Sequence, residues 1–230
     1  MDERAHYWAV IPAAGVGARM DSNIPKQYFC INGKPILEYT LERFCNHSKI
    51  DGVVAVIADN DSYWSSLSIS GHKKIQIAPG GQERCHSVLN GLRFLSSFAQ
   101  ADDWVLVHDA ARPCLRSEDI DHLIEELSSH PVGGVLAVPV RDTMKRAGNN
   151  NEIIETVERS RLWHALTPQM FRLAALTQAI EQQLERGHNV TDEAMAIELS
   201  GAMPVLVQGH ADNIKVTQMG DVLLAEMYLK

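Results

Sequence analysis

The stretch Trp8-Ala9-Val10-Ile11-Pro12-Ala13-Ala14-Gly15-Val16-Gly17-Ala18-Arg19-Met20 runs from an apolar segment straight into a loop of small residues. The first part reads as a strand, Tyr7–Ile11. The loop continues to Pro25-Lys26. Small residues such as Ala13, Ala14, Gly15 and Gly17 let backbone N–H groups come close to a ligand, and clustered N–H groups make a concavity that prefers anions. Arg19 and Lys26 add full positive charges. A polyphosphate is the ligand this combination suits. The dinucleotide fingerprint is excluded, because Met20 stands where its third glycine would fall. Gly33-Lys34-Pro35 likewise lacks the Ser/Thr of a P-loop.

Outward from this stretch, strand and helix patterns alternate. Strands are predicted at Val53–Ala58, Lys74–Ala78, Trp104–His108, Gly133–Val140, Pro204–Gln208 and Ile214–Val216. Helical spacing is predicted over Pro35–Phe44, with the proline in the first turn, and over Glu83–Leu95. Further helices are expected from an N-cap at Ser117 to about Ser128, over Leu173–Arg186 before Gly187, and over Gly220–Leu229. Thr191 precedes Asp192 and Glu193, acids suited to a first helical turn. Alternation of this kind predicts one α/β domain over residues 1–230 with a mainly parallel sheet. Gly148-Asn149-Asn150-Asn151 separates two charged, strand-like stretches, Asp142–Ala147 and Glu152–Arg159. They read as a hairpin arm over residues 140–162. An isolated two-stranded ribbon is marginal in water, so it needs a packing partner. A second subunit is the simplest one, and a fold back onto its own domain is the alternative.

Composition narrows the function classes. The chain has 230 residues, is 45% hydrophobic and carries a formal charge of −8, which argues against a general nucleic-acid binder. Between Pro12 and Pro35, however, Arg19, Lys26 and Lys34 face only Asp21. A local positive site on an acidic body points to a small anionic ligand. No apolar run is long enough to span a membrane, and no signal-peptide pattern opens the chain, so a cytoplasmic location is expected. Cys30, Cys45, Cys85 and Cys114 are scattered and predict buried free thiols. The ten histidines form neither His-x-His nor His-x-x-x-His, which speaks against a zinc site, and His108 and His164 read as packing or hydrogen-bonding residues.

Ala13-Ala14-Gly15-Val16-Gly17-Ala18-Arg19-Met20 followed by Pro25-Lys26 resembles the signature of nucleotidyltransferases that join a nucleoside triphosphate to a phosphorylated alcohol or sugar. Other motifs are similar to one family among them, the 2-C-methyl-D-erythritol 4-phosphate cytidylyltransferases. These are Pro25-Lys26-Gln27-Tyr28, Gly80-Gly81-Gln82-Glu83-Arg84 with Ser87-Val88, and His108-Asp109-Ala110-Ala111-Arg112-Pro113. Val140–Lys145, Thr167-Pro168-Gln169, Thr191-Asp192-Glu193 and Asp212-Asn213-Ile214-Lys215 complete the set, in the family's order. Leu166 departs from the glutamine that many members carry.

The resemblance implies a Rossmann-like three-layer nucleotidyltransferase fold with a protruding arm. It also implies transfer of a cytidylyl group from CTP to methylerythritol phosphate, with release of pyrophosphate, in non-mevalonate isoprenoid synthesis. A divalent cation, usually Mg2+, and a homodimer built by arm exchange come with it. In that reading Arg19 and Lys26 hold the triphosphate and stabilise the transition state, while Arg159 and Lys215 hold the acceptor's phosphate. Ala13, Ala14, Gly15, Gly17, Gly80, Gly81 and Ser87 form the nucleotide pocket. Asp109, with Ala110 beside it, binds a substrate hydroxyl or helps hold the metal, and Arg112 pairs with it or contacts substrate. Thr143, Thr167 and Thr191 match positions near the second substrate. Two alternatives stay open: a cytidylyltransferase for another polyol phosphate such as ribitol 5-phosphate, and a nucleotide-binding regulatory module.

Overall fold

β1 (Tyr7–Pro12) lies near the middle of a seven-stranded sheet with β4 (Gly52–Ile57), β5 (Ile75–Pro79), β6 (Trp104–Val107), β7 (Gly133–Pro139), β10 (Trp163–Arg172) and β11 (Val205–Gln208). The computed structural model describes residues 4–15 and 24–230. The strand order is β11-β7-β10-β6-β1-β4-β5. Every pairing is parallel except the two made by β10, which runs antiparallel between β6 and β7.

Side-chain alternation explains the layering. Ala9 and Ile11 of β1 face one core, together with Val53, Ala55, Trp104 and Leu106. Val10 faces the other, together with Val54, Val56, Val105 and Val107. Strands apolar on both faces must be covered on both. Helices α1 (Ile36–Cys45) and α3 (Ser117–Leu127) cover the first face. Helices α2 (Arg84–Leu95), α4 (Leu173–Glu185) and α5 (Glu193–Leu199) cover the second. This is the three-layer α/β arrangement that the sequence predicts. A smaller cluster joins α6 (Met219–Tyr228) to Ile31 of the short β2–β3 ladder (Cys30–Ile31 and Lys34–Pro35), Ile36 and Val216. No helix among the described residues is long and apolar enough to cross a membrane.

Several local expectations are corrected. Ile214–Val216 forms no strand; Val216 is tied to the rest by one backbone bond, N–H to Ala111 O at 2.8 Å. Arg116, not Ser117, occupies the cap position of α3, and Pro35 caps α1 from outside its first turn. The long β10 was not predicted: Pro168 interrupts its pattern, and the register with β7 shifts between Ala165 and Gln169. Cys30 is exposed, whereas Cys45, Cys85 and Cys114 are buried free thiols as expected. Gly187 takes φ +73° just past α4, the left-handed value that suits glycine.

The hairpin is present. β8 (Met144–Ala147) pairs antiparallel with β9 (Ile153–Val157) as a separate two-stranded sheet. The turn closes through Gly148 N–H to Glu152 O at 2.9 Å, and Arg146 meets Glu155 across the ribbon at 2.6 Å. Ile153 and Ile154 remain 66% and 62% exposed on this arm.

The sheet brings the site together because the loops after β1, β5 and β6 all leave from the carboxyl ends of neighbouring parallel strands, where ligands gather in open α/β sheets. The frame depends on its central packing. Leu106 of β6 is fully buried. Leu106→Ala is expected to lower stability by about 2–5 kcal/mol, measured by urea unfolding. A loss under about 0.5 kcal/mol, the usual size of a surface substitution, would contradict this assignment of the core.

Candidate active site

A cleft of about 450 Å3 opens at that sheet edge. Its walls include Ala13, Ala14 and Gly15 after β1, Lys26 from the 3-10 turn Lys26–Tyr28, Gly81 and Ser87 around the start of α2, and Asp109, Ala110 and Lys215. These nine predicted residues therefore meet in one place. Gly17 and Arg19 lie outside the described residues.

The narrowness of the cleft has local causes. A Cβ on Gly80 would fall 2.3 Å from Ala14 Cβ, and one on Gly81 would fall 2.5 Å from His86 Cβ. Only glycine lets the loops after β1 and β5 pack so closely. Gly81 N–H donates to Ser87 Oγ at 3.0 Å, and that hydroxyl donates on to Glu83 O at 3.2 Å. On the opposite wall Gln27 donates to Ala13 O at 2.6 Å, so the start of the loop is pinned to its far end.

Asp109 is the electrostatic centre. Its Oδ1 accepts from Arg84 Nε at 2.9 Å, and its Oδ2 lies 2.8 Å from Lys215 Nζ and 3.5 Å from Arg112 Nε. Burial opposes the carboxylate, but Arg84, then Lys215 and Arg112, outweigh it and hold Asp109 well below the usual carboxylate range. Arg84 also grips the buried Glu193 in a fork, Nη1 to Oε1 at 2.7 Å and Nη2 to Oε2 at 3.2 Å. Burial disfavours charge on Arg84 as well, yet Glu193 and then Asp109 raise its pKa above the ordinary arginine value.

Behind Asp109 runs a closed hydrogen-bond chain. Arg112 O can only accept, so His108 Nε2 donates to it, at 3.1 Å. His108 Nδ1 then accepts from the Thr167 hydroxyl at 3.0 Å, and that hydroxyl accepts from Asp109 N–H at 3.1 Å. Asn213 donates to Thr167 O at 2.8 Å, and Arg112 Nη1 donates to Asn213 O at 2.7 Å. Thr167 thus serves the loop rather than facing open space. Burial lowers His108 to about 4, as befits a neutral hydrogen-bonding residue.

A second cleft, about 550 Å3, lies beyond Lys215. Arg112, Arg141, His164 and Asn213 help line it, and Lys215 lines both clefts. Five of the described predicted residues line neither cleft: Gly80 packs behind the wall against Ala14, Thr167 belongs to the hydrogen-bond chain, and the other three are exposed. Thr143 is exposed within the arm, just before β8. Thr191 is exposed, with its hydroxyl 3.4 Å from Met195 Sδ. Arg159 is exposed and donates to the Arg141 carbonyl at the arm's base. The sequence reading did not single out Arg84, Glu193, Gln169 or Asn213. Each sits inside a quoted motif, but their pairings span up to 109 positions, a distance no local pattern reveals.

Asp109 does not fit a direct metal ligand. Both of its oxygens are held by cations, and a divalent ion would meet Arg84, Arg112 and Lys215 within the same shell.

A glycine-lined cleft at the carboxyl edge of a mostly parallel sheet, with a second cleft across a shared lysine, defines a nucleotidyltransferase. A family model described as IspD, 2-C-methyl-D-erythritol 4-phosphate cytidylyltransferase, matches residues 7–230. The chain belongs to this family. It is 56% identical over 221 residues to the 2-C-methyl-D-erythritol 4-phosphate cytidylyltransferase of Vibrio vulnificus (strain CMCP6), covering 96% of this chain and 93% of that one. A crystal structure of 4-diphosphocytidyl-2C-methyl-D-erythritol synthase superposes with a TM-score of 0.86 at 38% identity, covering both chains fully. The Francisella tularensis 2-C-methyl-D-erythritol 4-phosphate cytidylyltransferase superposes with a TM-score of 0.84 at 37% identity, covering 97% of this chain and all of that one.

The buried His108 generates a pH prediction. Its folded pKa, about 4, lies below the unfolded value near 6.5, so between those values the unfolded chain takes up a proton that the folded chain refuses. Stability attributable to His108 is complete above about pH 6.5 and falls as pH drops toward 4. His108→Gln should flatten urea stability between pH 7 and pH 4.5 relative to the unaltered protein. Parallel curves for the two proteins would contradict this assignment.

Proposed function

We propose that the chain transfers the cytidylyl group of CTP to 2-C-methyl-D-erythritol 4-phosphate, giving 4-diphosphocytidyl-2-C-methyl-D-erythritol and pyrophosphate. The observation that carries this reading is the pair of clefts meeting at Lys215 beside Asp109. One cleft suits a nucleoside triphosphate and the other a phosphorylated alcohol. An oxygen of the acceptor's phosphate attacks the α-phosphorus of CTP. The new P–O bond forms as the bond to the β-phosphate oxygen breaks, and pyrophosphate departs with its electrons. The nucleophile is already an anion, so no strong base is required. Bringing anions together in line and stabilising the transition-state charge is the task.

The Pro12–Lys26 loop takes the triphosphate, with Arg19 and Lys26 as cations. The narrow Ala14–Gly80 contact makes the base pocket tight, which favours a pyrimidine over a purine. Lys215 turns toward the acceptor's phosphate, and Asp109 with Arg112 addresses its polyol. Thr143 and Thr191 complete the acceptor side, while Thr167 supports it from behind through the Asp109 backbone. Magnesium arrives with CTP as part of the substrate. The protein works in the cytoplasm as a homodimer, and each arm carries Arg159 and Thr143 to its partner. The exposed Ile153 and Ile154 support this role for the arm, since a two-stranded ribbon with its large apolar side chains uncovered is marginal in water without a packing partner.

Pyrophosphate release with CTP and a panel of polyol phosphates tests the substrate claim; release with ribitol 5-phosphate but not methylerythritol phosphate would overturn it. Lys26→Ala should lower kcat by about 10²–10³. An unchanged kcat would remove Lys26 from transition-state stabilisation. Arm exchange is tested by mixing. Arg159→Ala and Lys26→Ala proteins, each nearly inactive, should recover activity as mixed dimers, because one site per dimer then carries both residues. No recovery after demonstrated subunit exchange would count against sharing.

A further inference from the structure

We infer that Glu193 is a positioning residue for the acceptor half of the reaction, acting through Arg84 on Asp109; the inference rests on the cytidylyltransferase reading. Arg84 lines the nucleotide cleft, yet it is not presented as a phosphate clamp. A guanidinium can grip a carboxylate in a fork through Nη1 and Nη2, or side-on through Nε and Nη2. Glu193 occupies the first fork, at 2.7 and 3.2 Å. Asp109 is left with Nε alone, at 2.9 Å on Oδ1. Its Oδ2 is therefore available to Lys215, at 2.8 Å.

Glu193 is held firmly enough to dictate this choice. It is the first residue of α5 and is only 1% exposed. Gln169 of β10 braces the same helix start, accepting from Ala194 N–H at 2.8 Å and donating to Asp192 Oδ2 at 3.0 Å. Asp192 Oδ1 caps the helix by accepting from Met195 N–H at 2.9 Å. Glu193 itself lines neither cleft, so its route to the substrates runs through Arg84. With Glu193 gone, Arg84 would be free to take both oxygens of Asp109, and Lys215 would lose the anchor that keeps it between the clefts. The damage would fall on the acceptor rather than on CTP.

The alternative is an ion pair that merely stabilises the fold, and kinetics on the full chain separate the two. In Glu193→Gln the charge that holds Arg84 Nη1 and Nη2 leaves while the side-chain volume stays, so Arg84 is released toward Asp109. Glu193→Asp keeps the charge but withdraws it by one methylene, and it carries the test if Glu193→Gln does not fold. The expected result in either folded variant is a KM for methylerythritol phosphate raised by about tenfold or more, with the KM for CTP within about threefold of the unaltered protein. An unaltered KM for methylerythritol phosphate, or equal rises for both substrates, would overturn the positioning role. Absence of turnover by the unaltered protein would overturn the cytidylyltransferase reading instead.

Discussion

One buried carboxylate, Asp109, organises the site. It gathers Arg84, Lys215 and Arg112 within 3.5 Å and is itself only 10% exposed at the side chain. Three cations at such range would repel one another without an anion among them. With Glu193 on the far side of Arg84, two carboxylates face three cations, and a positive surplus remains where anions must meet. The cluster is a fixed arrangement of charge, held by ion pairs and hydrogen bonds within the chain.

The fold supplies the geometry of that field. β6 ends at Val107, so His108 to Arg112 emerge directly from the sheet centre. β10, reversed between β6 and β7, brings Thr167 against His108 and the Asp109 backbone. The segment holding Asn213 and Lys215 then closes over this corner through Asn213 to Thr167 and Arg112 to Asn213. The loops carrying Asp109 and Lys215 are consequently fixed to one another by hydrogen bonds whose partners line no part of the nucleotide cleft.

Much of this was legible in the sequence, and the remainder was not for physical reasons. Apolar runs such as Val53–Ile57 and Trp104–Val107 are long enough and uniform enough to announce buried parallel strands. Glycines such as Gly80 and Gly81 announce a close approach, because their chemistry leaves few other uses in that position. β10 was hidden because Pro168 breaks its ladder and its register shifts there. Thr167 matched a position near the second substrate, but its hydroxyl turns to His108 and the Asp109 backbone, since a sequence cannot tell which way a side chain turns. Arg84 and Glu193 were hidden in another way: each looks like an ordinary charged residue until the fold joins positions 109 apart. Charge type is local information, whereas charge pairing belongs to the topology.

In the proposed reaction the two clefts hold the acceptor's phosphate and CTP in line, an oxygen of the first attacking the α-phosphorus of the second. This is tested most directly by 31P NMR of the reaction with methylerythritol phosphate labelled with 18O on its phosphate. Direct attack predicts a nucleotide diphosphate product that carries the label and a pyrophosphate free of it. Label in the pyrophosphate, or orthophosphate in its place, would contradict the account.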